Sequence, residues 1–120
     1  FNAYSSVVGI FLNRKIEGKP LLVTGDGQQK RDFIHVADLA KANYLSGIHP
    51  KKLNTAFNVG LGETLSVLDL AKLIDGENFE FIEKREGESE ITFADTAKIR
   101  SILGWEPSMN IKDYLAIELA

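Results

Sequence analysis

The sequence predicts an α/β fold in which short strands alternate with amphipathic helices over one region, residues 1–120. Two observations lead to this prediction. Apolar residues recur at helical offsets of three and four in several segments. Between these segments lie short apolar runs bounded by glycine or proline, as is typical of strands. Because strands this short usually belong to a larger sheet, we expect a partner domain beside them.

The predicted elements follow one another as helix, strand, strand, helix, strand, helix, strand, helix, helix. The predicted helices are residues 4–17, 38–46, 66–75, 95–104 and 110–119. The predicted strands are residues 21–24, 31–36, 56–59 and 79–83. Candidate N-caps are Asp38, Ser66, Asp95 and Asn110. Asp69 follows Ser66 at capping-box spacing, and Gly104 is placed to end the helix before it.

Composition excludes several classes of function. The formal net charge is −3, from 14 basic and 17 acidic residues spread along the chain. A nucleic-acid partner is not expected, because binding a phosphate backbone needs a dense basic face. The sequence has no cysteine, and His35 and His49 are not at metal-binding spacing, so no metal site is expected. No apolar run approaches the roughly 20 residues of a membrane span, and a cytoplasmic protein is expected.

The first residues of the sequence are unusual for the start of a natural chain. The first residue is Phe1 rather than Met, and a helical pattern starts almost at once. We therefore expect that upstream sequence is missing.

Residues 25–40 carry the most specific motif. After a strand, this segment reads Gly-Asp-Gly, three polar residues, Arg-Asp-Phe, an alternating apolar run and a capped helix. The pattern resembles the extended short-chain dehydrogenase/reductase family, in particular the NAD-dependent nucleotide-sugar epimerases and dehydratases related to UDP-glucose 4-epimerase. Further segments resemble the same family in the same order, and these are residues 18–20, 57–60, 85–88, 94–95 and 103–105.

The resemblance implies a function and a set of site residues. It identifies the chain as the carboxyl-terminal, substrate-binding portion of an extended Rossmann-type enzyme whose parent binds NAD in an amino-terminal domain. Arg31 and Arg85 are implied to hold the diphosphate of a nucleotide sugar, for which planar guanidinium forks are suited. Glu88 is implied to accept hydrogen bonds from the ribose. Leu22 and Thr24 lie on the strand whose backbone is implied to face the base.

Structural alternatives remain open for each of these residues. Either arginine could pair on the surface with a nearby carboxylate such as Asp32 or Glu86. Glu88 could be a solvated charge in an acidic loop, and Leu22 could serve only sheet pairing. We interpret His35 as a satisfied strand residue and Trp105 as an anchor for the terminal helices.

The catalytic features of the family are missing from the sequence. Gly60 and Gly62 follow an apolar run, but the third glycine of a dinucleotide fingerprint would fall at Leu65. None of the tyrosines has a lysine four positions later, because Tyr4, Tyr44 and Tyr114 are followed there by Val8, Ile48 and Glu118. We therefore expect no cofactor and no catalytic residue in this chain.

Three functions are compatible with these features. The first is the nucleotide-sugar-binding part of an epimerase, an isomerase whose isolated portion would be inactive. The second is a stand-alone nucleotide-sugar-binding module or pseudoenzyme. The third is a structural fragment without ligand affinity. Because apolar faces and strand edges would be exposed without the missing domain, we also expect the isolated chain to form a homo-oligomer.

Overall fold

The structure is a computed structural model that describes residues 6–84, 86–87 and 90–120. The elements in chain order are α1 (Val7–Ile16), β1 (Leu21–Thr24), β2 (Lys30–Arg31), α2 (Val36–Ile48), β3 (Leu65–Ser66), α3 (Val67–Asp75), β4 (Phe79–Ile82), α4 (Ala97–Leu103) and α5 (Ile111–Glu118). The chain divides into two compact units. The first contains the chain up to Arg31 together with Leu65–Ile91 and Leu119, and the second contains Asp32–Thr64, Thr92–Glu118 and Ala120.

The first unit is built on two small sheets. Strand β1 pairs in parallel with β4, and β2 pairs antiparallel with β3. Helix α3 packs against both α1 and β1. Along β1 every second side chain is buried, as expected for a strand with one face on the core. The buried apolar side chains of this unit are Phe11, Leu21, Val23, Val67, Leu70, Ala71 and Ile74.

The second unit packs around a fully buried tryptophan. Trp105 lies against Ala42 of α2 and Ile99 of α4, and partly buried side chains surround the three. The indole Nε1 of Trp105 donates a hydrogen bond of 2.9 Å to the backbone carbonyl of Asp38. The predicted anchoring role of Trp105 is thereby confirmed, because this bond ties the segment before α5 to the first turn of α2.

Several local predictions are confirmed. Ser66 accepts a hydrogen bond from the N–H of Asp69 at 3.0 Å and caps α3, as predicted. Gly104 ends α4 in a left-handed conformation, with φ of 64°. Asn110 Oδ1 accepts from the N–H of Asp113 at the start of α5. Asp95 also accepts from an N–H of the first turn of α4, although Thr96 is the residue at the N-cap position.

The predicted strand over residues 31–36 is wrong in most of its length. Only Lys30–Arg31 pair with another strand, and α2 begins at Val36 rather than near Asp38. The reason is the side chain of His35, whose Nδ1 accepts a hydrogen bond from the N–H of Ala37 at 3.1 Å and caps the helix. His35 is therefore an N-cap and not a strand residue, and its ring lies 5.5 Å from that of Tyr114.

The predicted strand over residues 56–59 is not a strand in the structure. Phe57 and Val59 instead pack against the core around Trp105. The carbonyl of Ala56 accepts a hydrogen bond of 3.0 Å from Nζ of Lys98 on α4. An extended segment becomes a strand only when its backbone pairs with a neighbour, and here an apolar core and a lysine hold the segment.

None of the described helices is long and apolar enough to cross a membrane. Among the described residues, no cluster of three or more His, Asp or Glu side chains could hold a metal ion.

Candidate functional site

A cavity of about 300 Å³ lies at the carboxyl ends of β1 and β4. These two strands are parallel, so their carboxyl ends lie side by side, and the N–H of Gly25 donates to the carbonyl of Ile82 at 2.8 Å. The cavity is lined by Gly25, Asp26, Gln28, Gln29, Lys84 and Glu90. In open α/β sheets, ligands bind outside the carboxyl ends of the strands. The position of this cavity therefore makes it the candidate site of the first unit.

The turn that forms one wall of the cavity is held in one conformation. Gly27 has a φ of 73°, and a Cβ atom there would lie 2.7 Å from Cγ1 of Val23 and 2.8 Å from Cβ of Leu68. Asp26 Oδ1 accepts a hydrogen bond from the N–H of Gln28 at 3.0 Å. Only glycine fits the crowded, left-handed position, so the Gly-Asp-Gly motif is needed by the geometry of the turn.

Gln29 connects the cavity to Arg31. Its side chain is 7% exposed, and its Oε1 accepts a hydrogen bond of 3.3 Å from Nη2 of Arg31. Its Nε2 donates to Oγ1 of Thr24 at 3.4 Å. The guanidinium of Arg31 also donates from Nη1 to the carbonyl of Lys30 at 2.9 Å. Gln29 thus brings Thr24 and Arg31, two of the predicted site residues, into one hydrogen-bonded group.

The opposite wall of the cavity carries a lysine. Nζ of Lys84 lies 3.1 Å from a carboxylate oxygen of Glu90. Both side chains are well exposed, so this ion pair contributes little to stability. The lysine stem lies close to Gly25, where an added Cβ would be 3.5 Å from Cβ of Lys84. An anionic ligand in the cavity would therefore meet a cation whose present partner can be displaced at small cost.

Three predicted site residues, Leu22, Arg85 and Glu88, are not part of this hydrogen-bonded group as the structure describes it. Leu22 is half-buried in β1, where it pairs with Glu80 of β4. Arg85 and Glu88 lie outside the described residues. Sequence analysis missed Gln29 and Lys84. Lys84 directly follows the predicted strand over residues 79–83, which is a weak signal for a polar residue in a turn, and Gln29 gave no signal.

The Gly60–Gly62 turn belongs to the second unit and holds a carboxylate. Asp32 Oδ1 accepts from the N–H of Leu61 at 2.7 Å, and its Oδ2 accepts from the N–H of Gly62 at 3.0 Å. The N–H of Ala94 donates to the same Oδ2 at 3.2 Å. The turn does not fit a dinucleotide, because the amide groups that would face a phosphate bind Asp32 instead.

A second, more open cavity of about 410 Å³ lies beside Asp32 in the same unit. It is lined by Asp32, Phe57, Asn58, Val59, Thr92, Phe93 and Ala94. Three backbone amides already donate to the carboxylate of Asp32, so this carboxylate is occupied within the protein.

Comparison with known proteins shows which family the chain is similar to. Residues 2–60 match the NAD dependent epimerase/dehydratase family. The chain is a partial-length homologue of the NAD-dependent epimerase/dehydratase family. The matched stretch of this family includes the Gly-Asp-Gly turn, Gln29, Arg31 and the Asp32 carboxylate.

Individual relatives extend the match beyond that stretch. The chain is 32% identical over 114 residues to a Bacillus subtilis protein described as an uncharacterized UDP-glucose epimerase, covering 91% of this chain and 36% of the relative. It is 29% identical over 119 residues to CDP-paratose 2-epimerase of Salmonella typhi, covering 88% of this chain and 35% of that enzyme.

A solved structure confirms the fold of the homologous part. UDP-glucose 4-epimerase of Thermotoga maritima, determined with UDP-glucose, superposes with a TM-score of 0.83 at 33% identity. The superposition covers 95% of this chain and 38% of that enzyme. The chain therefore spans about a third of the length of the family members that it matches.

Proposed function

We propose that this chain is the carboxyl-terminal, nucleotide-sugar-binding portion of an NAD-dependent epimerase or dehydratase, and that its parent is a UDP-sugar 4-epimerase. The observation that carries the proposal is the cavity at the carboxyl ends of β1 and β4, with Gln29 joining its wall to the guanidinium of Arg31. The UDP-glucose epimerases among the relatives support the choice of substrate class.

The chemistry of Arg31 supports a diphosphate ligand. A guanidinium group has five N–H donors in a planar fork. The bonds to Lys30 and Gln29 use one donor from each terminal nitrogen, which leaves donors for two phosphate oxygens. Lys84 would add a second positive charge from the other wall of the cavity. Arg85 would add a third, as the resemblance to the family implies.

The Gly60–Gly62 turn does not fit the diphosphate of NAD. The Gly60–Gly62 turn lacks the third glycine of the fingerprint, and its amides bind Asp32. We assign NAD binding to the remainder of the parent enzyme. The isolated chain is predicted to hold the nucleotide end of a sugar nucleotide without converting it, and NAD-dependent epimerisation by the purified chain would contradict this.

Calorimetric titration with UDP-glucose tests the proposal. We expect saturable binding, weakened by about tenfold or more in Arg31→Ala, because a charge-assisted hydrogen-bond pair is lost. Arg100→Ala is the matched control, since Arg100 bonds Thr96 and Glu106 in the second unit. It removes the same charge and should leave the affinity unchanged.

Two results would contradict the proposal. Absence of binding by the wild-type chain would favour a structural fragment without ligand affinity. Equal weakening by the two arginine substitutions would indicate a general charge effect rather than a site.

The state of association of the isolated chain stays a prediction. Val36, Tyr44 and Ile48 on α2 are 74%, 65% and 58% exposed, which is unusual for large apolar side chains on one helix. Light scattering over micromolar concentrations should show a homo-oligomer, and a strictly monomeric species would contradict the expectation.

A further inference from the structure

Gln29 is a buried polar side chain in a turn that is otherwise exposed or glycine-rich. Its neighbours Gln28 and Lys30 are exposed, whereas Gln29 is only 7% exposed. Burying a primary amide is costly unless its donors and acceptor are bonded. The bond to Thr24 uses one N–H of the amide, and the bond from Arg31 uses its oxygen. Loss of the contact with the guanidinium would take this donor away from the buried oxygen of Gln29.

The chemistry of the two partners fixes the orientation of the Gln29 amide. A guanidinium can only donate hydrogen bonds, so the atom that faces Nη2 of Arg31 must be the oxygen. The amide nitrogen then faces Oγ1 of Thr24, which can accept. A flipped amide would place two donors against each other, and the arrangement consequently has one stable orientation.

The backbone that carries Gln29 is held by helix α3. The carbonyl of Gln29 accepts a hydrogen bond from the N–H of Val67 at 2.9 Å. The carbonyl of Gly27 accepts one from the N–H of Leu68, also at 2.9 Å. These bonds attach the turn to the first two residues of α3, and the side chain of Val67 is buried. Gln29 thus rests on a regular element and can act as a fixed support.

We propose that Gln29 is a positioning residue that holds the Arg31 guanidinium ready for the diphosphate of a nucleotide ligand. This inference rests on the proposed function. An arginine side chain loses considerable rotamer entropy when it is immobilised. A guanidinium that is oriented before binding loses less of it on binding, so affinity increases without a new ligand contact.

The neutral amide is also the right group for this role. A carboxylate at position 29 would orient Arg31 equally well but would form an ion pair with it. That carboxylate would compete with the diphosphate for the guanidinium and repel the anionic ligand. An amide acceptor orients the arginine and leaves its charge available to the ligand.

Titrations with UDP and with uridine, which has no phosphate, test the proposal on the full 120-residue chain. Gln29→Met keeps the length of the side chain and removes the hydrogen bonds to Arg31 and Thr24, and we expect UDP affinity to fall roughly three- to tenfold. Uridine affinity should stay unchanged, whereas a merely structural role would weaken both ligands. Asn43→Met is the control, because it removes an exposed side-chain amide on α2 that is not among the residues lining the cavity, and it should change neither affinity.

Two further variants sharpen the test. In an Arg31→Ala background, Gln29→Met should have no additional effect on UDP affinity, because the residue that it positions is gone. Gln29→Glu should weaken UDP more than Gln29→Met does, and raised salt should reduce this difference. Unchanged UDP affinity in Gln29→Met, with wild-type binding intact, would overturn the positioning role while leaving the proposed function standing.

A measurement without ligand separates the two proposals. Nitrogen-15 relaxation of the Arg31 Nε–H group should show a more mobile side chain in Gln29→Met than in the wild type or in Asn43→Met. If the wild type does not bind UDP, the proposed function fails, and this measurement still decides whether Gln29 orders Arg31. Equal mobility in all three proteins would overturn the positioning role.

Discussion

Ser108 donates two hydrogen bonds to Asp38, a residue 70 positions earlier in the chain. Its backbone N–H lies 3.0 Å and its hydroxyl group 2.8 Å from Oδ1 of the carboxylate. The N–H of Met109 donates to Oδ2 at 3.1 Å. These bonds join the first turn of α2 to the segment before α5 within the second unit. Asp38 is only 2% exposed, so they form away from solvent.

Asp38→Asn should destabilise the chain by about 1–3 kcal/mol. The asparagine amide has one oxygen, whereas three donors converge on the two oxygens of Asp38, so its NH₂ group would face a donor. Chemical denaturation at neutral pH measures the loss. Asp113→Asn is the control, because Asp113 is exposed in the first turn of α5, and it should cost little. Equal loss in both variants would contradict the role of the Asp38 bonds.

The hydrogen bonds at Asp38 should also make the stability of the chain depend on pH. Burial raises the pKa of Asp38, but the hydrogen bonds from Ser108 and Met109 and the charge of His35 outweigh it and hold the pKa below its ordinary value. The stabilisation is therefore complete above the ordinary carboxyl pKa of about 3.9 and is lost as the pH falls through the lower folded-state pKa. Denaturation from pH 7 to pH 3 should show the wild type losing its advantage over Asp38→Asn only at the acid end.

Asp32→Asn should also destabilise the second unit by about 1–3 kcal/mol, because three backbone amides donate to the two carboxylate oxygens. Asp95→Asn is the matched control. Asp95 accepts from the N–H of Ala97 alone, and an asparagine oxygen can replace that bond. Thermal unfolding followed by circular dichroism compares the two variants, and a larger effect at Asp95 would refute the interpretation.

Two glycine substitutions should act in opposite directions. Gly27→Ala should cost about 2–4 kcal/mol, because a left-handed conformation and close contacts with Val23 and Leu68 both disfavour a Cβ. Gly47→Ala lies in α2 with no atom within 4 Å of the new methyl group, and it should stabilise by about 0.5–1 kcal/mol. Urea unfolding measures both changes, and a tolerated Gly27→Ala would show that the turn can rearrange.

Local signals in the sequence predicted a large part of the fold. The bond from the N–H of Asp69 to Ser66 and the glycine end of α4 at Gly104 depend on neighbours within a few residues, so sequence spacing suffices to find them. Residues 31–36 alternate between apolar and polar side chains as a strand would. Most of them have no neighbouring strand to pair with, and the side chain of His35 caps α2 instead. The strand prediction for residues 56–59 is wrong for a similar reason, because strand formation depends on a partner that is distant in the sequence.

The candidate site was predictable only in part. Arg31 and Thr24 were found by resemblance to a family, and the structure joins them through Gln29. Gln29 itself gave no signal, because a glutamine in a polar turn is usually solvated. Its burial follows from the packing of the turn on α3, which depends on Val67 and Leu68, residues almost forty positions later.

A crystal structure of the chain with UDP tests the central claim most directly. We predict that a guanidinium nitrogen of Arg31 lies within hydrogen-bond distance of a diphosphate oxygen, about 2.7–3.2 Å, while Oε1 of Gln29 still accepts from Nη2. UDP bound elsewhere, with Arg31 bonded only to Gln29 and Lys30, would contradict the account.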